Sequence, residues 1–282
     1  MFTVLGIEVS DQSLRRWTHW LAPDPQPFFV GSAAEWPGKA GRRDEISTEL
    51  NDTYQLWRVP QSLEVVWLSE EEFQSLPRER RATLVRSQVR NGREVPTVKG
   101  WSDLIDGSRL RAQADGHRFV WWPELVEVDL QRTLARVASR NRLASRHKEV
   151  AAATWQRCAA ALPGAHDLAG TFPSAGGPNC FSTVMAAAGV TDTPTVWSET
   201  EPFDTWLDAS TVRGGRDSDV GTVYMWRTLD GCSVHAAIGI GDGWALEKPS
   251  RDWHSPRGIV AVADLVRANT YRGQRLSRHR LY

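Results

Sequence analysis

Apolar positions recur with two different periods in the second half of the chain. Residues 233–247 alternate between apolar and polar side chains on either side of Asp242-Gly243, which predicts two strands joined by a hairpin turn. Residues 176–189 run from a Gly-Gly-Pro-Asn turn into an alanine-rich apolar segment closed by a glycine, which predicts a helix beginning at Cys180. Further elements are predicted in this half as a helix over 149–162 and strands over 221–226 and 259–262.

The length of the hairpin loop decides which side chains share a face. A two-residue loop would pair Ile238 with Glu247 and drive the carboxylate onto the apolar face. A three-residue loop, Gly241 to Gly243 with Gly243 in a left-handed bulge position, pairs Ala237 with Glu247 and separates apolar from polar side chains. The pattern therefore favours the three-residue loop, with His235 and Glu247 as diagonal neighbours on one face.

The first half of the chain has a different pattern. Prolines interrupt residues 1–60 so often that only short strand-like pieces, and no long helix, are expected there. Residues 62–68 predict a strand, and Ser69-Glu70-Glu71-Glu72 supplies a capping box for a helix that continues to about Arg90, with an interruption at Pro77. From Pro123 the pattern is helical again.

Length and patterning together predict two α+β domains. At 282 residues the chain is long enough for one large domain or two ordinary ones. The polar, basic segment 139–147 is the best boundary, which gives an N-terminal domain over 1–145 and a C-terminal domain over 146–282. The C-terminal domain is expected to hold a central antiparallel sheet and the helix that begins at Cys180. The N-terminal domain resembles no family and is expected to serve substrate recognition.

Charge and composition exclude several classes of partner. The formal net charge is zero, so no nucleic-acid binding is expected, because that attraction needs a cationic excess. No apolar run approaches the ~20 residues that span a bilayer, so no membrane association is expected. The first nine residues lack the features of a secretory signal, and an odd cysteine count is typical of a reducing compartment. These features predict a cytoplasmic protein.

The three cysteines are predicted to have different roles. Cys158 lies in a helical pattern and is expected to pack in the core, and Cys232 lies in a turn where a structural role is expected. No Cys-x-x-Cys or His-x-x-x-His spacing is present, so neither a metal nor a cofactor is predicted. Cys180 differs from the other two because the unpaired N–H groups and the positive end of a helix favour its thiolate.

A nucleophilic cysteine needs a base and a group that orients the base. The hairpin offers His235 as the base and Glu247 as the orienting residue, with Asp242 and His254 as alternatives for the third position. His166, ahead of the cysteine, is a further candidate for lining the site, although a solvent-exposed position is favoured for it.

A cysteine that opens a helix, a strand histidine some fifty residues later and a polar residue twelve positions further on resemble the NlpC-type papain-like cysteine peptidases. The likeness covers about residues 146–282 and implies a papain-like fold with Cys180, His235 and Glu247 as nucleophile, base and orienting residue. The chain departs from the family at Asn179-Cys180-Phe181-Ser182, where Asp-Cys-Ser-Gly is usual, and at Glu247, where histidine is most frequent.

The expected activity is thiol-dependent acyl transfer, namely hydrolysis of an amide or peptide bond in a small peptide or metabolite through a thioester. The same thioester serves an amide-forming acyltransferase, which therefore stays open. A catalytically inactive papain-like binding protein and an effector delivered into neighbouring cells are open as well.

Overall fold

The computed structural model describes residues 2–282 and contains both helices and antiparallel sheets, so the predicted α+β class is confirmed. Contacts between Cα atoms divide the chain into two units. One comprises residues 10–137, and the other comprises residues 1–9 together with 138–282. The predicted boundary between 145 and 146 lies eight residues after the observed division, and the sequence did not predict that the first nine residues belong with the C-terminal unit.

The unit of residues 10–137 is built on a three-stranded antiparallel sheet in the order β3-β5-β4. Its core is aromatic, with Phe73 stacked on Phe28 at 5.7 Å and tilted against Trp122 at 5.5 Å. The elements that begin in this unit are α1 Asp11–Leu21, β3 Gln26–Val30, β4 Lys39–Gly41, α2 Thr48–Tyr54, β5 Glu64–Leu68, α3 Glu70–Ser75, α4 Arg78–Arg90, α5 Gly107–Gln113, α6 Pro123–Glu127 and α7 Leu130–Ser139.

Two predictions for this unit are confirmed and one is wrong. The capping box at Ser69 and Glu72 forms, and the helix is interrupted at Pro77, which lies between α3 and α4. The expectation of no long helix before residue 60 fails at α1, which has 11 residues and ends before the first proline. Its N-cap is Ser10, whose side chain accepts the N–H of Ser13, so a local capping signal was present in the sequence.

The second unit contains a six-stranded antiparallel sheet in the order β10-β9-β8-β7-β11-β6. A short hairpin of β1 and β2 belongs to the same unit, and the N–H of Ser145 donates to the carbonyl of Leu5 at 2.8 Å. The elements of this unit are β1 Phe2–Val4, β2 Ile7–Val9, α8 Ala152–Ala161, α9 Ala165–Leu168, α10 Cys180–Ala187, α11 Thr200–Ser210, β6 Thr211–Arg213, β7 Val220–Thr228, β8 Ser233–Gly241, β9 Trp244–Glu247, β10 Gly258–Ala261, α12 Val262–Asn269 and β11 Gln274–Leu281.

Each face of the six-stranded sheet is covered by helices. Ala236, Ile238 and Leu246 share a core with side chains of α8 and α10. On the opposite face, Ala237 and Ala245 pack in a second core with side chains of α12. The two faces of the hairpin therefore have different roles: one carries the helix that begins at Cys180, and the other carries α12.

The C-terminal segments differ from expectation. The strand predicted over 259–262 ends at Ala261, and α12 begins at Val262. Most of the arginine-rich segment 272–280 forms β11, which pairs with both β7 and β6. Within residues 2–282, no helix is both long enough and apolar enough to cross a lipid bilayer.

Candidate active site

The position of Cys180 is fixed by a capped helix start. Helix α10 begins at Cys180, and Asn179 is its N-cap. The Asn179 side chain accepts the N–H of Ser182 at 2.9 Å, and the Ser182 hydroxyl accepts the N–H of Asn179, which completes a capping box. The Asn179 amide also donates to the carbonyl of Ser198 at 2.7 Å. Asn179 therefore anchors both the helix start and the segment that precedes α11.

The predicted register of the hairpin is confirmed, although its loop is built differently. Ile238 lies opposite Leu246, so Ala237 falls opposite Glu247. The loop is a two-residue turn of Asp242 and Gly243, both with positive φ, and a bulge between Gly239 and Gly241 adds the residue that changes the parity. The bulge, rather than a longer loop, keeps the carboxylate off the face that carries α10.

His235 and Glu247 lie next to each other on the face covered by α12. The His235 Nε2 atom is 3.7 Å from the Glu247 Oε2 atom, and both side chains are buried, with exposed fractions of 11% and 4%. The separation is longer than a normal hydrogen bond, and Nε2 has no hydrogen-bond partner among residues 2–282. The indole of Trp226, directly opposite on β7, packs against the imidazole at 5.3 Å.

The Cys180 thiol interacts with the same imidazole. Each side chain shifts the pKa of the other, and the backbone N–H groups of Phe181 and Ala236 also favour the thiolate. The three predicted site residues thus come together, with the imidazole next to both the thiol and the carboxylate.

The electrostatics favour a charged pair. Burial acts to raise the pKa of the Cys180 thiol, but the hydrogen bond and charge of His235, with the two backbone donors, outweigh it and lower the pKa below its ordinary value. Burial acts to lower the pKa of His235, but its interactions with Cys180 and Glu247 raise that pKa to about 9. Both shifts favour a thiolate beside an imidazolium over a neutral thiol beside a neutral imidazole.

Cys180 and His235 open onto a cavity of about 570 Å³. That volume is in the range of pockets that hold small organic ligands. The cavity lies between two segments: residues 197–201 lead into α11, and residues 249–251 follow β9.

Buried cations hold both walls of the cavity. The Lys248 ammonium donates to the carbonyls of Ser250 and Asp252, at 2.5 and 3.0 Å. The Arg257 guanidinium donates to the carbonyl of Pro194, three residues before the other wall begins. Walls held by buried charged donors give the cavity a defined shape before any ligand enters.

The alternative site residues lie in other environments. Asp242 accepts from Thr154 and Arg157 at the turn of the hairpin. His254 is buried against Arg142, with Nδ1 and Nη1 3.0 Å apart. The side chain of His166 is 72% exposed, as favoured from the sequence, and does not line the cavity.

Sequence reasoning missed Asn269, the last residue of α12. Its amide donates to the Glu247 Oε2 atom at 3.2 Å, the same oxygen that faces His235. Asn269 follows an ordinary amphipathic helix pattern, and its partner lies 22 positions earlier in the chain. No local signal in the sequence connects the two.

The other cysteines are separated from this chemistry. Cys158 is buried in the core as predicted, and burial raises its pKa to about 11. Cys232 is exposed, so it does not contribute to packing in the core. Among residues 2–282, no group of three or more His, Cys, Asp or Glu side chains is arranged to hold a metal ion.

No protein-family model, curated protein or solved structure matches the chain. The resemblance to NlpC-type papain-like peptidases therefore stays a prediction that depends on three residues and their order.

Proposed function

We propose that the protein is a cysteine-dependent acyl-transfer enzyme with a papain-like C-terminal domain, which hydrolyses an amide or peptide bond in a small substrate. The observation that carries this proposal is the position of His235 between Cys180 and Glu247 at the wall of a defined cavity. A lone buried cysteine is usually inert. A helix-start thiol that is hydrogen-bonded to an imidazole has the activated environment of a nucleophile.

In the first half of the reaction, the Cys180 thiolate attacks the carbonyl carbon of the substrate. A C–S bond forms, and the electron pair of the C=O double bond moves onto oxygen. The N–H of Cys180 lies at the first position of the helix, where no intrahelical acceptor exists, and it is available to stabilise this oxyanion. When the intermediate collapses, the C–N bond breaks and the leaving amine takes its proton from the His235 imidazolium.

The second half releases the acyl group. Neutral His235 removes a proton from water, and the hydroxide attacks the thioester carbonyl while the C–S bond breaks and the thiolate reforms. His235 is then again the imidazolium, so the enzyme returns to its starting state. An amine in place of water would turn the same intermediate into a new amide. The acceptor, and not the nucleophile, thus separates the hydrolase from the transferase.

The three cysteines allow an internal comparison by iodoacetamide alkylation, with peptide mapping, from pH 5 to pH 10. We expect Cys180 to alkylate with a midpoint below the ordinary thiol value of about 8.5 and faster than Cys232 at pH 6, and Cys158 to stay unmodified in the folded protein. Cys180 alkylating no faster than Cys232 at pH 6 would contradict the proposal and favour an inactive papain-like binding protein.

The acyl-enzyme itself is tested by intact mass. The protein is incubated with a panel of small peptide amides and activated esters, and a covalent adduct is sought on the Cys180 peptide. Cys180→Ala is the negative control, and Cys232→Ala should retain every adduct. Adducts that persist in Cys180→Ala, or that map to Cys232, would show that the thioester step is wrong.

A further inference from the structure

The end of α12 contacts both side chains that flank the His235 ring. The Asn269 amide donates to Glu247 at 3.2 Å. The next residue, Thr270, accepts a hydrogen bond from the indole N–H of Trp226 at 3.2 Å. Trp226 in turn packs against the imidazole. Two consecutive residues therefore support the carboxylate and the aromatic wall of the base.

Asn269 shares one carboxylate oxygen with the base. Glu247 Oε2 is 3.2 Å from the Asn269 amide nitrogen and 3.7 Å from His235 Nε2. The amide also donates to the carbonyl of Leu265 at 3.0 Å, so its position is tied to the helix backbone. The Asn269 amide therefore holds the Glu247 carboxylate at a distance from the imidazole that is longer than a normal hydrogen bond.

We propose that Asn269 is a positioning residue that holds the Glu247 carboxylate beside the His235 ring and so keeps the imidazole next to Cys180. This inference rests on the proposed function. Without the Asn269 donor, the carboxylate is free to move relative to the imidazole. A longer separation from the ring, or a shift of the ring toward the carboxylate, weakens the interaction of His235 with Cys180 and leaves the thiolate less stable.

The test is the pH profile of Cys180 alkylation by iodoacetamide in Asn269→Leu, which keeps the approximate volume and removes the amide. We expect the midpoint to rise by about 0.5 to 1 pH unit, which lowers the rate by about 3- to 10-fold at pH values well below the wild-type midpoint. Leu265→Ala is the matched control, because Leu265 is fully buried in the same helix and its truncation disturbs packing without removing the donor to Glu247. We expect its midpoint to stay within 0.2 units of the wild type.

A double-mutant cycle with Glu247→Gln decides whether the effect passes through the carboxylate. Asn269→Leu should produce no additional shift in the Glu247→Gln background. An unchanged midpoint in Asn269→Leu, an equal shift in Leu265→Ala, or a full additional shift in the double variant would each overturn the positioning role. If the wild-type Cys180 alkylates no faster than Cys232 at pH 6, the proposed function fails instead, so the two failures are distinct.

Discussion

Two largely buried histidines in the same unit lie beside carboxylates, yet their environments have opposite effects on the imidazole pKa. His235 Nε2 is 3.7 Å from Glu247, and His254 Nε2 is 3.9 Å from Asp252. The exposed fractions of the two histidine side chains are similar, at 11% and 14%. The pKa of His235 is raised to about 9, whereas that of His254 is lowered to about 3. Proximity to a carboxylate therefore does not by itself identify a catalytic base.

The neighbouring groups explain the difference. Burial lowers the pKa of His254, and the positive charges of Arg142 and Lys248 lower it further, against the opposing effect of Asp252. Arg142 donates to Asp252 and Ser250 at 3.0 and 3.1 Å, so the carboxylate is already paired. His235 instead has a second ionisable partner, the thiol of Cys180, which can give up a proton to it. In the cluster of His254 the carboxylate is already paired with Arg142, whereas in the cluster of His235 a proton can move between the thiol and the imidazole.

The largest expected effect separates the two histidines directly. His235→Ala should lower the rate of Cys180 alkylation at pH 6 at least 100-fold, because the thiol loses its hydrogen-bonded imidazolium and only the backbone donors remain. His254→Gln keeps a polar side chain beside Arg142 and should leave that rate within 2-fold of the wild type. The measurement is the pseudo-first-order rate at pH 6, with circular dichroism as the check on folding. Equal effects of the two variants would mean that the contrast between the clusters is wrong.

The second expected effect is on stability in mild acid. The folded-state pKa of His254 lies below the ordinary value of 6.5, so the unfolded chain binds this proton first as the pH falls. Its contribution to stability is complete above pH 6.5 and is lost progressively toward pH 3. From pH 7 to pH 5 this amounts to at most about 2 kcal/mol for one proton.

The Cys180–His235 pair contributes to the acid loss as well, but equally in the wild type and in His254→Gln. Near neutral pH the folded and the unfolded pair each hold one proton, and below pH 6.5 the unfolded pair takes up a second on the imidazole before the folded pair does. The substitution removes only the contribution of His254. The free energy of unfolding, from urea titrations at pH 5, 6 and 7, should therefore fall less steeply in His254→Gln than in the wild type. An equal slope in both proteins would assign the acid sensitivity to other groups.

The sequence predicted that Cys180, His235 and Glu247 come together because the signals that place them are local. The turn before Cys180 and the glycine at 189 delimit a helix, and alternation in the hairpin sets which side chains share a face with Glu247. The parity argument gave the correct register although the extra residue is in a bulge rather than in the loop. The separation of apolar and polar side chains onto opposite faces of the hairpin decides the register, and more than one loop geometry is compatible with that register.

The remaining features depend on contacts that the sequence does not encode locally. Asn269 meets Glu247 only because α12 packs across the sheet. Segment 274–281 has an arginine-rich pattern typical of an exposed tail, and it becomes a strand because β7 and β6 both pair with it. The first nine residues belong with a unit that resumes after position 137, which no local periodicity can show.

The smallest expected effect tests whether the two clusters are independent. Ser250 is the residue they share: its hydroxyl accepts from Arg142 and donates to Asp252 at 2.7 Å, and it also lines the cavity beside Cys180 and His235. Ser250→Ala removes two hydrogen bonds in the His254 cluster and should lower the free energy of unfolding by about 1 kcal/mol. It should leave the pH midpoint of Cys180 alkylation within 0.2 units, because neither the thiol nor the imidazole loses a partner.

In the Asp252→Asn background, Ser250→Ala should lower the free energy of unfolding by less, because the carboxylate that accepts from the Ser250 hydroxyl is already replaced by an amide. A midpoint shift in Ser250→Ala as large as that expected for Asn269→Leu would show that the charges around His254 influence the Cys180 thiolate. The clusters of His254 and His235 would then not be independent.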